Sequence, residues 1–268
     1  SWVDASSQKV LSTTTYEYKI NSPARPYIQV KFDLSSLRGI GSGVISDYSI
    51  NYIQDTTAPE NPVDAGLRVY STASSSSELT SGRWYPYPAI NITWPKEGSE
   101  SGATDTATGS GVLGYYVSLF ATDSADVVDE DYFQTENSII SSGLVAGNTY
   151  YLALTTEDQA GNINQNTWRP FVYKFDDVAP TQPGDLSADP SGYTAVNKFT
   201  FSWDEATDSA SGVAGYCYKT GTSSGTFASE QCTTALSVTD VPAYKKGANT
   251  FYLRAKDNAG NYSAYSTV

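Results

Sequence analysis

The sequence has 268 residues and a formal net charge of −13, with 39% hydrophobic residues, 17% charged residues and no histidine. Its length predicts about two domains, and its acidity argues against nucleic acid or an anionic membrane as a partner. The lack of histidine excludes imidazole catalysis and removes the commonest transition-metal ligand. No apolar run approaches the roughly 18 residues of a membrane span. Low lysine, high serine, threonine and tyrosine and few thiols indicate an extracellular or cell-surface protein.

The first segment, residues 1–54, has strand patterns but too few of them for a complete domain. Residues 27–34 alternate apolar and polar side chains, and residues 44–53 alternate again after a Gly-rich connection. About three strands do not close a sandwich. We therefore expect a partial β-domain, completed by residues outside this chain or by a neighbouring molecule. With no methionine and no leader pattern, the chain is expected to be a mature product or an excised piece.

Two proline-containing linkers divide the rest of the chain. Residues 55–62 and 177–183 share an Ala-Pro-x-x-Pro core. Proline stiffens a segment and removes a ladder hydrogen bond. The linkers predict one domain over residues 55–177 and another over residues 178–268.

Short strands follow each linker in the same order. In the first copy a strand ends at Trp94, a Gly-Val-x-Gly-Tyr strand starts at Gly111, and an alternating strand from Tyr150 precedes Asp158-Gln-Ala-Gly-Asn162. In the second copy the matching features are Trp203, a strand from Gly212, a strand from Phe251, and Asp257-Asn-Ala-Gly-Asn261. Side chains two apart share one face of a strand, so each segment is predicted to be half-buried.

This order resembles the fibronectin type III-like and related immunoglobulin-like repeats of bacterial secreted enzymes and surface proteins. The resemblance covers residues 55–268 and implies an all-β chain: tandem fibronectin type III-like (Ig-like) β-sandwiches preceded by a partial β-domain. The N-terminal segment resembles the last strands of a jelly-roll-like domain. The fold is not specific for function.

The two copies differ in three places. Tyr150 occupies the position of the family's tyrosine that bonds back across the corner between the sheets. The aligned residue of the second copy is Asn249, so that corner must be held differently. The first copy has a longer loop after Trp94, and the last strand of the second copy is short.

The resemblance implies that the entering linker and two interstrand loops meet at one pole of each sandwich. Those positions carry acidic side chains in both copies. Clustered carboxylates would accept Ca²⁺, which takes six to eight oxygen ligands. The alternative is that each Asp bonds only its own turn. The candidate ligands are Asp55, Asp105 and Asp158 in the first copy, and Asp176 or Asp177, Asp204 or Asp208, and Asp257 in the second.

A second acidic group follows the Gly111 strand. It is more typical of a solvated loop that keeps a sheet edge from pairing than of a metal site. Its members are Asp123, Asp126, Asp129, Glu130 and Asp131.

An aromatic segment precedes the Trp94 strand. Trp84 and Tyr85 are adjacent, and Tyr87 lies between two prolines. Trp84 and Tyr85 are predicted to cap the core of the first sandwich, and the alternative is that all three aromatic residues contact a glycan or a protein partner.

The two cysteines, Cys217 and Cys232, are predicted to form a disulfide between adjacent strands, closing a loop of about 15 residues. A catalytic thiolate is not expected, because no histidine is available to activate it.

The sequence therefore favours a non-catalytic extracellular protein, a cell-surface stalk or adhesion region that contacts a surface glycan, a protein or neighbouring domains. One alternative is an accessory, glycan-binding module of a secreted polysaccharide-degrading enzyme. Another is a filament subunit completed by strand exchange.

Overall fold

The computed structural model describes residues 7–10, 16–19, 55–72, 74–106, 109–123, 127–222 and 224–268. Within these ranges the secondary structure consists of β-strands and two single 3₁₀ turns, and no helix is long and apolar enough to span a bilayer. The strands are β1 (Ser7–Val10), β2 (Tyr16–Lys19), β3 (Arg68–Ser71), β4 (Ser74–Glu78), β5 (Trp84–Tyr85), β6 (Ile90–Thr93), β7 (Val112–Phe120), β8 (Phe133–Gln134), β9 (Ser138–Ser141), β10 (Thr149–Asp158), β11 (Val172–Phe175), β12 (Gly184–Asp189), β13 (Phe199–Asp204), β14 (Val213–Gly221), β15 (Gln231–Thr233), β16 (Ser237–Val241), β17 (Thr250–Asp257) and β18 (Ser266–Thr267).

The first sandwich consists of two sheets, with strand orders β4-β3-β6-β9 and β5-β11-β10-β7-β8. Alternation along β6 turns Ile90 and Ile92 inward, and both are completely buried. The facing sheet contributes Leu152 and Leu154 from β10, also completely buried. Trp94 ends the β6 segment and packs edge-on against Tyr115, with ring centroids 5.4 Å apart. The predicted alternating strands of the first copy therefore meet in one apolar core.

The second sandwich repeats this plan with strand orders β12-β13-β16 and β15-β14-β17-β18. Phe251 and Leu253 of β17 point inward, and Phe251 stacks on Phe201 of β13 with ring centroids 3.7 Å apart. Trp203 packs edge-on against Tyr216, as Trp94 does against Tyr115. The fold class predicted for residues 55–268 is thus present twice.

Several strands of the first sandwich were not predicted, β4 and β5 among them. The serine-rich segment after β3 folds back as β4, and β5 pairs in parallel with β11. The sequence of β4 has no apolar alternation, and β5 is only two residues long, so neither gives a strand pattern. At the N-terminus β1 and β2 form an antiparallel pair. The strands predicted over 27–34 and 44–53 lie outside the described residues.

The sheet-to-sheet corner is held by a different side chain in each sandwich. In the first, Val145 N–H donates to the Tyr150 hydroxyl oxygen at 2.7 Å, which is the expected tyrosine corner. In the second, Asn249 replaces it: Lys245 N–H donates to Asn249 Oδ1, and Asn249 Nδ2 donates to Lys245 O at 2.7 Å. An amide carries both a donor and an acceptor, so it closes this turn from a shorter side chain.

Each linker lies against the sandwich that follows it. Glu60 forms a β-bridge with Thr104 in the first sandwich. Thr181 N–H donates to Thr207 O in the second, and Thr207 N–H returns a bond to Thr181 Oγ1. The proline segments are therefore attached to their sandwiches at the pole where the acidic loops lie.

Candidate functional site

Three carboxylates meet at the entrance to the first sandwich. One oxygen from each of Asp55, Asp105 and Asp158 lies within 4.8 Å of the others. Asp55 is in the linker, Asp105 in the loop between β6 and β7, and Asp158 at the end of β10. We call this set the first junction cluster. It brings together the three residues that the sequence predicted for the first copy.

The second junction cluster has the same composition and the same spacing. It consists of Asp176, which directly precedes the second linker, Asp208 from the loop between β13 and β14, and Asp257 from the end of β17, again with oxygens within 4.8 Å. The sequence left two alternatives open here, and the structure decides between them. Of each pair of alternatives, Asp177 and Asp204 are exposed and lie outside the cluster. The side chains of β13 alternate, which turns Asp204 away from the core.

Backbone N–H groups hold each carboxylate in place. Asp55 accepts from Thr57 N–H and Ser110 N–H, and Asp176 accepts in the same way from Val178 N–H and Ser211 N–H. Each linker Asp therefore bonds both its own turn and the opposing loop.

The loop carboxylates converge although their loops differ in length. Asp105 Oδ2 accepts from Gly111 N–H at 2.7 Å, and Asp208 Oδ1 accepts from the matching Gly212 N–H at 2.7 Å. The longer loop needs a close approach, because a Cβ on Gly109 would lie 2.4 Å from both carboxylate oxygens of Asp105. Glycine at 109 therefore lets the longer loop place its carboxylate at the same point.

The asparagine that ends each Asp-x-Ala-Gly-Asn turn ties the cluster to the linker, a role that was not predicted. Asn162 Nδ2 donates to Asp158 Oδ2 at 2.8 Å and to the backbone oxygen of Asp55 at 3.2 Å. Asn261 repeats both bonds with Asp257 Oδ2 and Asp176 O. The repetition of Asn at the fifth position of both motifs was the available signal.

The first linker carboxylate, Asp55, is favoured in its ionised form. N–H donation from Thr57 and from Ser110 holds the pKa of Asp55 below its ordinary value of 3.8. Asp158, Asp176 and Asp257 are buried. Among the ion pairs of the described residues, none involves these six carboxylates. Oxygen-rich, anionic and built from loops, each cluster has the donor set that Ca²⁺ uses.

Comparisons with known proteins give partial relatives. Exoglucanase B of Cellulomonas fimi is 31% identical over 221 residues, which cover 80% of this chain and 17% of that protein. Chitinase A1 of Niallia circulans is 28% identical over 194 residues, covering 68% of this chain and 26% of that protein. The chain thus spans about a quarter or less of either relative. No family model matches the chain.

Among solved structures, the FN1–FN3 domains of chicken CNTN1 cover 70% of this chain and 64% of their own, at a TM-score of 0.40 and 16% identity. Domains A168–A170 of titin cover 76% of this chain and 65% of their own, at a TM-score of 0.41 and 11% identity. The strand order and the buried Trp, found in both repeats, and the tyrosine corner of the first repeat decide the fold class. The chain carries tandem fibronectin type III-like repeats.

The aromatic segment of the first repeat is divided between two environments. Tyr85 stacks on Tyr173 with ring centroids 6.0 Å apart, Tyr87 packs against the same core, and Tyr173 O–H donates to Tyr87 O at 2.6 Å. Burial raises the pKa of Tyr173 far above its ordinary value, although the hydrogen bond to Tyr87 O lowers it in part. Trp84 is half-buried on the outer side, with Lys174 Nζ 5.7 Å from its ring. Of the three candidates, Trp84 alone lies outside that packing.

The described carboxylates of the second acidic group, those of Asp123, Asp129 and Asp131, do not gather into a cluster. Asp129 accepts from Asp131 N–H at the start of a 3₁₀ turn, and Asp123 is exposed. Asp126 lies outside the described residues. Within the described part of this loop, no three carboxylates gather as they do at the junctions.

The second repeat contains the predicted disulfide. Cys217 of β14 and Cys232 of β15 are directly opposite each other, with Cα atoms 4.0 Å apart, and their sulfur atoms are bonded. Cys217 is buried. The bridge fixes the short edge strand β15 to the sheet and is structural.

Proposed function

We propose that this chain is a non-catalytic, extracellular region of a polysaccharide-acting protein, in which two repeats space and orient the neighbouring domains. The observation that carries the proposal is the junction cluster. In both repeats the incoming linker is held by its own Asp and by an Asn from the opposite loop. A linker held in this way transmits orientation, whereas a free linker does not.

Support for the polysaccharide context comes from the relatives. Both are named for polysaccharide hydrolysis, and each matches this chain over a minor part of its own length. Such a part is more simply an accessory region than the reaction centre. A stalk or adhesion region on a cell surface would use the same spacing, and the relatives favour the secreted setting.

Absence of turnover is one test of this function. The purified chain is incubated with cellulose and with chitin, and released reducing sugar is measured. We expect none above a heat-denatured control. Sugar release that copurifies with the chain would contradict the proposal.

A glycan-contact role for Trp84 is the second candidate, because its ring lies outside the core of the first repeat. Retention on cellulose or chitin that is lost in Trp84→Ala would favour it. Tyr193→Ala is the matched control, since Tyr193 is 95% exposed and distant in sequence. Equal retention by both variants would exclude this contact.

We further propose that the junction clusters bind Ca²⁺ and stiffen each linker. Three carboxylates close together repel one another, and a dication would relieve that repulsion. A ligand that binds the folded state at about 100 times its Kd stabilises it by about 2.7 kcal/mol. For a domain of roughly 100 residues this corresponds to a rise in Tm on the order of 10 °C.

Calorimetry of the whole chain with Ca²⁺ and with a chelator tests this directly. We expect Ca²⁺ to raise the transition of each repeat, and Asp208→Asn to abolish the rise for the second repeat alone. Asp204→Asn is the matched control, because it removes an equal charge from the end of β13, outside the cluster. An unchanged wild-type transition would refute the Ca²⁺ proposal without affecting the spacer function, which the linker bonds support independently.

A filament assembled by strand completion predicts concentration-dependent polymer in sedimentation experiments. The spacer function predicts a monomer over the same concentrations.

A further inference from the structure

The outer face of the larger sheet in the second repeat combines cations with aromatic rings. Alternation along β17 turns Phe251 and Leu253 inward and the intervening Tyr252, Arg254 and Lys256 outward. Lys219 of β14 lies opposite Tyr252 in the register. With Phe227, Tyr262 and Tyr265 these residues form one surface, which we call the cationic face. Its cations are Lys219, Arg254 and Lys256, and its rings are those of Phe227, Tyr252, Tyr262 and Tyr265.

The cations lie over the rings. Lys219 Nζ is 4.2 Å from the ring centroid of Phe227 and 4.8 Å from that of Tyr265. The guanidinium carbon of Arg254 is 3.9 Å from the Tyr262 centroid, and Lys256 Nζ is 5.4 Å from the same ring. Cation–π contacts keep long side chains extended on the sheet surface, so the positive charges have fixed positions.

One carboxylate compensates part of this charge. Glu230 accepts from Arg254 Nε at 3.0 Å and from the Tyr265 hydroxyl at 2.7 Å. Partial burial opposes ionisation of Glu230, but these donors together outweigh it, so the pKa of Glu230 lies below its ordinary value. Lys219 and Lys256 form no ion pair within the described part of the chain. The face therefore carries net positive charge on a protein of net charge −13.

The matching face of the first repeat has a different chemistry. The positions aligned with Lys219, Tyr252, Arg254 and Lys256 carry Ser118, Ala153, Thr155 and Glu157. Ala153 and Thr155 are also buried there, whereas Tyr252 and Arg254 are half-buried in the second repeat. The cationic face is thus a property of one repeat and not of the fold.

We propose that the cationic face binds an acidic polysaccharide, a chain of uronate sugars. Charge complementarity selects an anion, and the exposed or half-buried rings provide apolar surface for the C–H faces of sugar rings. Lys219 and Lys256 then pair with sugar carboxylates. The remaining acidic surface would repel the same polymer, which confines binding to this face. The inference goes beyond the spacer function and does not depend on it.

The test is affinity electrophoresis of the whole chain in gels containing polygalacturonate. We expect the wild-type chain to be retarded and the double variant Lys219→Gln with Lys256→Gln to bind about tenfold more weakly. The matched control is Lys174→Gln with Lys198→Gln, which removes the same charge, including a lysine over a ring in the first repeat. The control should bind like wild type, and all chains should melt alike.

Several outcomes would overturn the proposal. They are absence of retardation of the wild-type chain, an equal loss in the control, and equal retardation by poly-glutamate, which would make the partner an acidic protein. Wild-type dimers in sedimentation that the Lys219/Lys256 variant abolishes would instead assign the face to a second copy of this chain. A ring test completes the set: Tyr252→Leu should weaken binding of polygalacturonate, whereas Tyr265→Phe, which keeps the ring, should not.

Discussion

The long strand before each Asp-x-Ala-Gly-Asn turn has the same inner face in both repeats and a different outer face. Inward, β10 carries Leu152 and Leu154 where β17 carries Phe251 and Leu253. Outward, β10 is covered by its own following segment, and Thr155 Oγ1 donates to Asn164 O at 2.7 Å. In β17 the shorter segment leaves the outer residues half-buried. The fold thus requires the apolar core and the junction in both repeats, whereas the outer face of this strand can differ between them and acquire a function.

The largest expected difference between the repeats comes from the disulfide, which only the second repeat contains among the described residues. Replacing Cys217 and Cys232 by alanine should cost about 3 kcal/mol, the chain-entropy value for a loop of this length. Calorimetry should show one transition lowered and the other unchanged. A parallel shift of both would mean that the repeats unfold as a single cooperative unit.

Next in size is the junction asparagine, which should matter equally in both repeats. Asn162→Ala removes a donor from the buried carboxylate of Asp158, and Asn261→Ala does the same for Asp257. A hydrogen bond to a charged group is worth about 1.5–3 kcal/mol, so we expect a loss of about 2 kcal/mol in each case. Urea unfolding measures it, and Asn148→Ala provides a control on an exposed asparagine outside the junctions. A cost in only one repeat would show that the two junctions are not equivalent.

The corner is held by different side chains in the two repeats, and its loss should cost each of them roughly 1 kcal/mol. Tyr150→Phe removes the bond from Val145 N–H, and Asn249→Asp keeps the acceptor for Lys245 N–H while removing the amide donor. Each should cost about 1 kcal/mol, the net value of an ordinary hydrogen bond. The measurement is the urea midpoint at constant slope. If Tyr150→Phe were neutral, packing of the ring alone would hold the first corner.

The smallest expected effect is the pH dependence of the first junction. The pKa of Asp55 is lowered in the folded state, first by Thr57 N–H and then by Ser110 N–H. Its contribution to stability is therefore complete above the ordinary value of 3.8 and is lost as the pH falls through the lower folded value. Asp55→Asn should lower stability near neutral pH and reduce the further loss below about pH 4. The measurement is the unfolding free energy of wild type and Asp55→Asn near neutral pH and below about pH 4. If both proteins lose the same stability on acidification, Asp55 has no such role.

Much of the fold could be predicted because alternation of side chains and a repeated turn are local signals. The strand that ends at Trp94 follows from the spacing of its side chains, and the Tyr150 corner follows from the resemblance. The choice between Asp176 and Asp177 could not be made, because adjacent residues differ only in the direction in which the backbone turns them. The cationic face was missed for a related reason: Lys219, Phe227 and Tyr265 are far apart in sequence and meet only through strand register.

Asp176 belongs to both repeats at once. Its N–H donates to Tyr85 O in the first, while its carboxylate and carbonyl oxygens accept from Ser211 N–H and Asn261 Nδ2 in the second. If the two repeats are separated, both pieces must therefore carry this residue. Otherwise the first piece loses the bond to Tyr85 O, or the second loses the bonds from Ser211 and Asn261.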